Sequence, residues 1–418
     1  MPRCRRVLCL FLLTALGCQS ARDAERVARI DASLASAARF MAGQQSPDGA
    51  WRSSTYGFMK DGLSLTPHVI SCLYFLPQGG GPMEDAFDRG VEFLIGQVGP
   101  DGKLKPVQFI YPVYTAAEAS RMILKHGRSE RHLLAHRAWL GMLRSNQLDE
   151  RLGWSASDLE YGGWGFSPFL PAKPPAGQAR APWAFSNLTA TIYGLAALRS
   201  AKVPMDDPSY RGIRLFVERC QNFAEDPDRG DPKFDDGGFF FAPAEELRNK
   251  GGVAGTDRLG RKRFHSYGSM TADGLRALLT LGLGRDHPRV VAARDWLVRH
   301  FDAAHNPGRF VQHNEDLRDA TYYYWCWSVA HAFLHMDVRG IDTRLGGGPW
   351  TDLLVDELLR RQRPDGSWTN RFTDAREDDP LVATPFAASA LAICRRMIAG
   401  DEGHSAVCLP GHMTTRRQ

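Results

Sequence analysis

Gln45-Ser46-Pro47-Asp48-Gly49-Ala50-Trp51 returns near the other end of the chain as Gln362-Arg363-Pro364-Asp365-Gly366-Ser367-Trp368. A third copy, Gln97-Val98-Gly99-Pro100-Asp101-Gly102-Lys103, carries the same Pro-Asp-Gly turn one residue later. Proline and aspartate favour the turn, and glycine supplies the positive φ that follows a helix end. Each copy closes a stretch with apolar residues at helical spacing, over 34–45, 87–97 and 353–362. Weaker copies follow helices predicted over 131–147, 209–222 and 288–302, with turns at Gly163-Trp164-Gly165-Phe166, Asp236-Gly237-Gly238-Phe239 and Pro307-Gly308-Arg309-Phe310.

After each turn comes a second, more apolar segment rich in small residues, over 65–76, 113–125, 186–200, 268–283, 321–335 and 381–398. These lack the broad charged stripe of a surface helix and must be covered on most sides. Hairpins with a polar outer and an apolar inner helix bury the inner one only by stacking, and six such units can close on themselves. The predicted fold is all-α, an (α/α)6 toroid over residues 31–400. The long stretches 151–183 and 224–264, rich in Gly, Pro and aromatics, become rim loops where the inner helices begin. Thr66-Pro67 and Thr384-Pro385 read as cap plus first-turn proline of two inner helices.

The chain's 418 residues would suggest two or three domains, but one ring uses nearly all of them. Three of the net five positive charges are Arg3, Arg5 and Arg6, ahead of the apolar run Val7–Leu16. This is signal-peptide architecture over 1–17. Leu13-Thr14-Ala15-Leu16-Gly17-Cys18 resembles a bacterial lipobox, with Cys18 as the lipid acceptor, although Ala15-Leu16-Gly17 also fits ordinary cleavage. A membrane-anchored lipoprotein of the cell envelope is the preferred reading, with 18–30 as linker and 401–418 as tail. No apolar run reaches the roughly 18 residues of a membrane span. A near-neutral mature chain without a basic, aromatic stripe argues against nucleic-acid binding. Of the cysteines beyond Cys18, Cys72, Cys326 and Cys394 lie in apolar helical runs and read as buried thiols.

Aligning the inner segments puts Thr66, Ala116, Thr191, Thr271, Cys326 and Thr384 in one column. Two residues on stand His68, Glu118, Tyr193, Asp273, Ser328 and Phe386; three further stand Arg121, Arg276 and His331. Positions three apart share a helix face, and the lumen is the place left for a polar stripe. His68, Glu118, Tyr193, Asp273 and His331 are therefore candidate lumen residues, with Glu118 and Asp273 as candidate catalytic carboxylates. The alternative is that Glu118–Arg121 and Asp273–Arg276 are intrahelical ion pairs without chemistry. Tyr323 and Trp327, in the run Tyr322–Trp327, are candidate ligand contacts, although such rings are also core material.

The Gln-x-x-Asp-Gly-x-Trp pattern of Gln45–Trp51 and Gln362–Trp368 resembles the repeat of squalene-hopene cyclases and protein prenyltransferases, with their prenyltransferase and squalene oxidase repeats. The resemblance implies a terpenoid cyclase/prenyltransferase α/α toroid with an isoprenoid-sized central cavity. It also implies chemistry whose parts are missing here. The cyclases' Asp-x-Asp-Asp acid motif does not occur; Asp235-Asp236 and Glu377-Asp378-Asp379 come nearest and read as solvated or turn-capping acids. Tyr322 stands where the prenyltransferase zinc-binding histidine should be, and no Asp-x-Cys lies near Phe264-His265-Ser266. His331 and His335, four apart, could hold a metal but lack the H-E-x-x-H glutamate. No metal or other cofactor is implied.

The expectation for function is a toroid binding an isoprenoid or other hydrophobic, extended ligand and attached to a membrane by its lipid. The alternatives are a divergent terpenoid cyclase, or a carbohydrate-active (α/α)6 enzyme using Glu118 and Asp273 as paired carboxylates about 5–9.5 Å apart.

Overall fold

A computed structural model describes residues 4–77, 82–106, 110–181, 183–223, 231–341 and 347–400, with the backbone alone at 4–20 and 82. Twelve α-helices follow in order: α1 (Cys4–Gly43), α2 (Thr66–Phe75), α3 (Pro82–Ile95), α4 (Pro112–His126), α5 (Glu130–Ser145), α6 (Leu188–Ser200), α7 (Pro208–Arg219), α8 (Gly268–Thr280), α9 (Pro288–His300), α10 (Tyr322–Met336), α11 (Trp350–Arg361) and α12 (Pro380–Ala399). The even-numbered helices form the inner ring, each packing on the next and α12 returning to α2. The odd-numbered helices lie outside, and α1 packs on α12. The architecture is the (α/α)6 toroid. Two short antiparallel ribbons, Val253–Thr256 with Lys262–Phe264 and Gly340–Ile341 with Gly348–Pro349, lie in the connections.

The turn motif shows how the ring is fastened. Four inner-helix threonines accept a backbone N–H from the aromatic residue after the turn: Thr66 from Trp51 at 2.9 Å, Thr191 from Trp164 at 3.1 Å, Thr271 from Phe239 at 3.0 Å, and Thr384 from Trp368 at 3.1 Å. The indoles of Trp51, Trp164 and Trp368 donate back to their own outer helices at Met41, Leu143 and Leu358. All three rings are fully buried.

A glutamine then ties each such turn to the next unit. Gln45 donates to the carbonyls of Gly49 and of Ala86 in α3, both at 2.8 Å. Gln147 bridges Gly162 to Ser209 in α7, and Gln221 bridges Gly237 to Arg289 in α9. Gln362 bridges Gly366 to Ser33 in α1, so the last staple closes the ring. The turn must hold glycine: Gly366 has φ +90°, and a Cβ there would lie 2.5 Å from the Ser36 carbonyl oxygen of the adjoining helix.

Three local readings differ from the structure. The helix signalled by Thr384-Pro385 begins earlier, at Pro380, because Asp379 accepts from the Leu381 N–H and caps it; Pro385 lies inside the helix. Thr66 and Pro67 are already helical, and Leu65 occupies the cap position. The stretch 18–30 is continuous helix within α1, where Ile30 is buried and Arg26 reaches Asp352 and Asp356 of α11. Helix α12 has the length and mean hydropathy of a membrane span, yet it is mostly buried as an inner-ring helix. Cys72, Cys220, Cys326 and Cys394 are free, buried thiols, and burial pushes each one's pKa up, to about 12 for Cys72.

Candidate functional site

The inner helices begin around a cavity of about 550 Å³, and the loops before them form its mouth. Its wall is largely aromatic: Tyr114 from α4, Tyr193 from α6, Tyr324 from α10 and Phe386 from α12 line it, with Phe58, Tyr111 and Tyr267 from the connections. Tyr114 and Tyr193 meet edge-on with centroids 5.1 Å apart, and Tyr324 meets Phe386 in the same way at 5.2 Å. The stretch 151–183 contributes Phe166, Pro168 and Trp183, and 224–264 contributes Phe241, Arg248 and Lys250.

Below the cavity the lumen is plugged by Trp327. Its ring lies 6.1 Å from Tyr193, 5.4 Å from Tyr324, 5.4 Å from Phe386 and 5.2 Å from His331, between centroids. The Arg276 guanidinium stacks 4.3 Å from its centroid. His331 belongs to this plug. Burial and then Arg276 hold its pKa well below the usual histidine range, so the ring is neutral, and its Nδ1 is buried without a hydrogen-bond partner.

The predicted site residues thus divide. His68, Glu118 and Tyr193 line the cavity. His68 Nε2 lies 3.0 Å from the Val382 carbonyl, and burial lowers its pKa. Glu118 makes the intrahelical pair with Arg121, at 2.5 Å, while its Oε2 is buried without a partner. Asp273, fully buried, lies outside the lining. Its oxygens accept from Tyr324 Oη at 2.6 Å, Ser328 Oγ at 2.5 Å and Arg276 at 3.3 Å. Burial raises its pKa against those donors. Glu118 and Asp273 therefore do not present two free carboxylates to one space. Tyr323 turns from the cavity toward the Thr369 carbonyl, and the ring one residue on, Tyr324, takes the position predicted for it.

One lining group goes beyond its sequence reading. Glu377 is neither solvated nor a turn cap. It is buried beside α10, accepting the N–H groups of Tyr324 at 2.8 Å and Tyr323 at 2.9 Å. Burial outweighs these donors and pushes its carboxyl up to about 7, so near neutrality about half of the molecules carry a proton there. The triplet Glu377-Asp378-Asp379 was the available signal; which acid turns inward depends on the loop. Asp378 instead accepts from Tyr56 Oη, and Asp236 accepts from the Gly238 N–H of its own turn and from Ser266 Oγ.

The charge at the mouth comes from Arg248, Lys250 and Arg376, with Asp374 paired to Lys250. Arg248 lies 4.8 Å from the Trp183 centroid, and Arg376 lies 4.8 Å from that of Tyr56. Arg376 has φ +64°, a conformation side chains adopt at a cost and that is often found at functional positions. Among the described residues no trio of metal-ligating side chains faces this cavity.

No protein-family model and no curated protein sequence matches the chain. Solved structures do match in fold. A variant of the type II terpene cyclase MstE from Scytonema, in complex with geranylgeranyl dihydroxybenzoate, aligns with TM-score 0.52 at 13% identity, over 89% of this chain and 99% of that one. Another MstE variant, with merosterolic acid A, gives TM-score 0.52 at 15% identity over 89% and 98%. Cellobiose 2-epimerase from Spirochaeta thermophila gives TM-score 0.53 at 15% identity over 90% and 98%. The chain shares the fold of these helical toroids.

Proposed function

We propose that this chain is an exported, lipid-anchored toroid that binds one extended, hydrophobic ligand of the isoprenoid class, tail inward, in its central cavity. The observation that carries the reading is the separation of chemistry along the cavity, with rings inside and Arg248, Lys250 and Arg376 at the mouth. Apolar pockets of a few hundred Å³ with a few placed polar groups are typical of small-molecule sites. Aromatic faces suit a polyene tail, and guanidinium groups suit an anionic or polar head. The terpene cyclase with this fold is bound to a ligand of that shape, a geranylgeranyl chain on a dihydroxybenzoate. A diacyl anchor on Cys18 would keep the protein at the membrane, where such ligands dissolve.

Native mass spectrometry of the purified mature protein tests the reading, with intrinsic tryptophan fluorescence as geranylgeranyl phosphate, geranylgeraniol or cellobiose is titrated. Saturable binding of the isoprenoids supports it. Binding of cellobiose alone would replace it with the carbohydrate reading. For the anchor, Cys18→Ser should release the protein from the membrane fraction; a variant that remains there would remove that part of the proposal.

A divergent terpenoid cyclase is the second reading, favoured by the raised carboxyl of Glu377 in the cavity wall. A raised pKa keeps the proton on but also weakens the acid, whereas alkene protonation demands a strong one. Binding without cyclisation is therefore preferred, and recovery of a cyclised product, lost in Glu377→Gln, would reverse that preference.

A further inference from the structure

At the end of the ring away from the mouth, α4 finishes on His126, and α5 starts with Ser129 as its cap and His132 in its first turn. Helix α3 brings Asp88 and Glu92, one turn apart, to the same place. The two imidazoles stack at 24° with centroids 5.0 Å apart, and His126 Nδ1 lies 2.7 Å from His132 Nε2. One ligand atom from each of Glu92, His126 and His132 lies within 4.8 Å of the others. The approach requires a residue without a side chain between the histidines, since a Cβ on Gly127 would lie 2.9 Å from His132 Nε2.

The outer nitrogens of both rings are held as metal-binding histidines usually are. His126 Nε2 lies 3.4 Å from Asp88 Oδ1, and a carboxylate only accepts, so the proton belongs on Nε2 and the Nδ1 lone pair faces His132. His132 Nδ1 lies 2.6 Å from Ser129 Oγ, a hydroxyl that can either donate or accept. Without metal, a proton on His132 Nε2 bridges the rings. When the hydroxyl turns to accept from Nδ1–H, His132 offers Nε2 as a second lone pair, with no net change of charge. Glu92 Oε2 is oriented by Arg131 at 2.5 Å.

We propose that this cluster binds a zinc ion through His126 Nδ1, His132 Nε2 and the Glu92 carboxylate, with water as the fourth ligand. Two imidazoles and a carboxylate suit that ion. Tetrahedral ligands at about 2.0–2.1 Å from the metal stand about 3.3 Å apart, so the rings part slightly from their 2.7 Å contact. The ion braces α3 to α4 and α5, the junction of the second and third units. Here the glutamine staple is missing, because Gln97 donates to Phe93 of its own helix.

The test uses the full purified chain, stripped with a chelator and titrated with Zn²⁺ alone by calorimetry. One site per chain is expected, with a melting temperature that rises with free Zn²⁺ and an X-ray absorption spectrum of nitrogen and oxygen ligands showing imidazole scattering. His132→Ala and Glu92→Gln should weaken binding at least tenfold, while His305→Ala leaves it unchanged. Should His132→Ala fail to fold, Ser129→Ala, which leaves all three ligands, should still weaken binding about tenfold. Absence of stoichiometric binding, sulfur in the first shell, or affinity unchanged in Glu92→Gln and Ser129→Ala would overturn the assignment.

Discussion

The first and second hairpins of the ring meet the same requirement by different means. In the first, Trp51 is pinned by Thr66 and Gln45 ties the turn to α3. In the second, the column position of Thr66 is Ala116, Leu104 replaces the tryptophan, and Gln97 stays on its own helix. The fifth hairpin, directly opposite in a ring of six, also departs: Cys326 replaces the threonine, and Asn306 joins the turn to α8 by accepting from the Ser269 N–H. Four hairpins use their inner-helix polar position for fastening. The two that do not supply Tyr114, Glu118 and Tyr324 to the cavity, beside His68, Tyr193 and Phe386 from hairpins that do. Fastening has been divided among the copies of one unit, four carrying the threonine clip and two not, while the cavity draws wall residues from every inner helix.

Substitutions at matched positions test that division. Trp368→Ala removes a fully buried indole and its bond to Leu358 and should cost about 3–5 kcal/mol in urea unfolding. Leu104→Ala, at the matching place in the second hairpin, removes only a half-buried side chain and should cost about 1 kcal/mol. Equal losses would dissolve the distinction.

Next in size is Glu377, which substitutes for a cap on the fifth inner helix. Its carboxyl rises from an ordinary 4.5 to about 7 in the folded protein, so between those values the folded state holds a proton that the unfolded state has lost. Its contribution is fully present below pH 4.5 and disappears as pH rises through 7, a fall of about 3 kcal/mol at ~1.36 kcal/mol per unit. Glu377→Gln should flatten the stability profile over that window, and an unchanged slope would contradict the assignment.

Gln362→Ala, which opens the staple to Ser33, should cost about 2 kcal/mol, and Gln97→Ala less than half as much. The smallest effect belongs to Thr271→Val, about 1 kcal/mol for the loss of a hydroxyl that accepts from the Phe239 N–H and donates to the Tyr267 carbonyl. If it exceeded the loss in Gln362→Ala, the clips rather than the staples would carry the fastening.

The helices and turns were legible because their signals are local: Pro-Asp-Gly breaks a helix within the residues that spell it, and helical spacing shows within two turns. Even so, Thr384-Pro385 misled, since proline marks a first turn only when no better cap stands before it, and Asp379 does. The lumen stripe placed His68, Glu118 and Tyr193 correctly around the ring but not in depth. Asp273 shares their column yet sits behind Tyr324, whose hydroxyl it accepts. Tyr323 and Tyr324 differ by one residue, about 100° around a helix, and pattern alone did not choose between them. The mouth cations Arg248 and Arg376 come from loops, where sequence gives no period to read. The Glu92, His126 and His132 group joins two neighbouring helix ends to a third helix more than thirty residues upstream, each residue looking like an ordinary solvent-facing side chain on its own.

The staple from Gln362 to Ser33 joins parts of the chain separated by most of its length, and α12 lies between α2 and α10 as the last inner element. A chain made from its amino end can stack five hairpins as an open arc, but two inner helices then keep an uncovered apolar flank until the sixth arrives. Closing contacts between such distant segments are slow. The arc is the species most exposed to aggregation or to a chaperone. Truncation within α12 should therefore yield an insoluble chain rather than a smaller ring. The cavity, which needs Phe386 from that helix for its wall, comes into being only with the final hairpin.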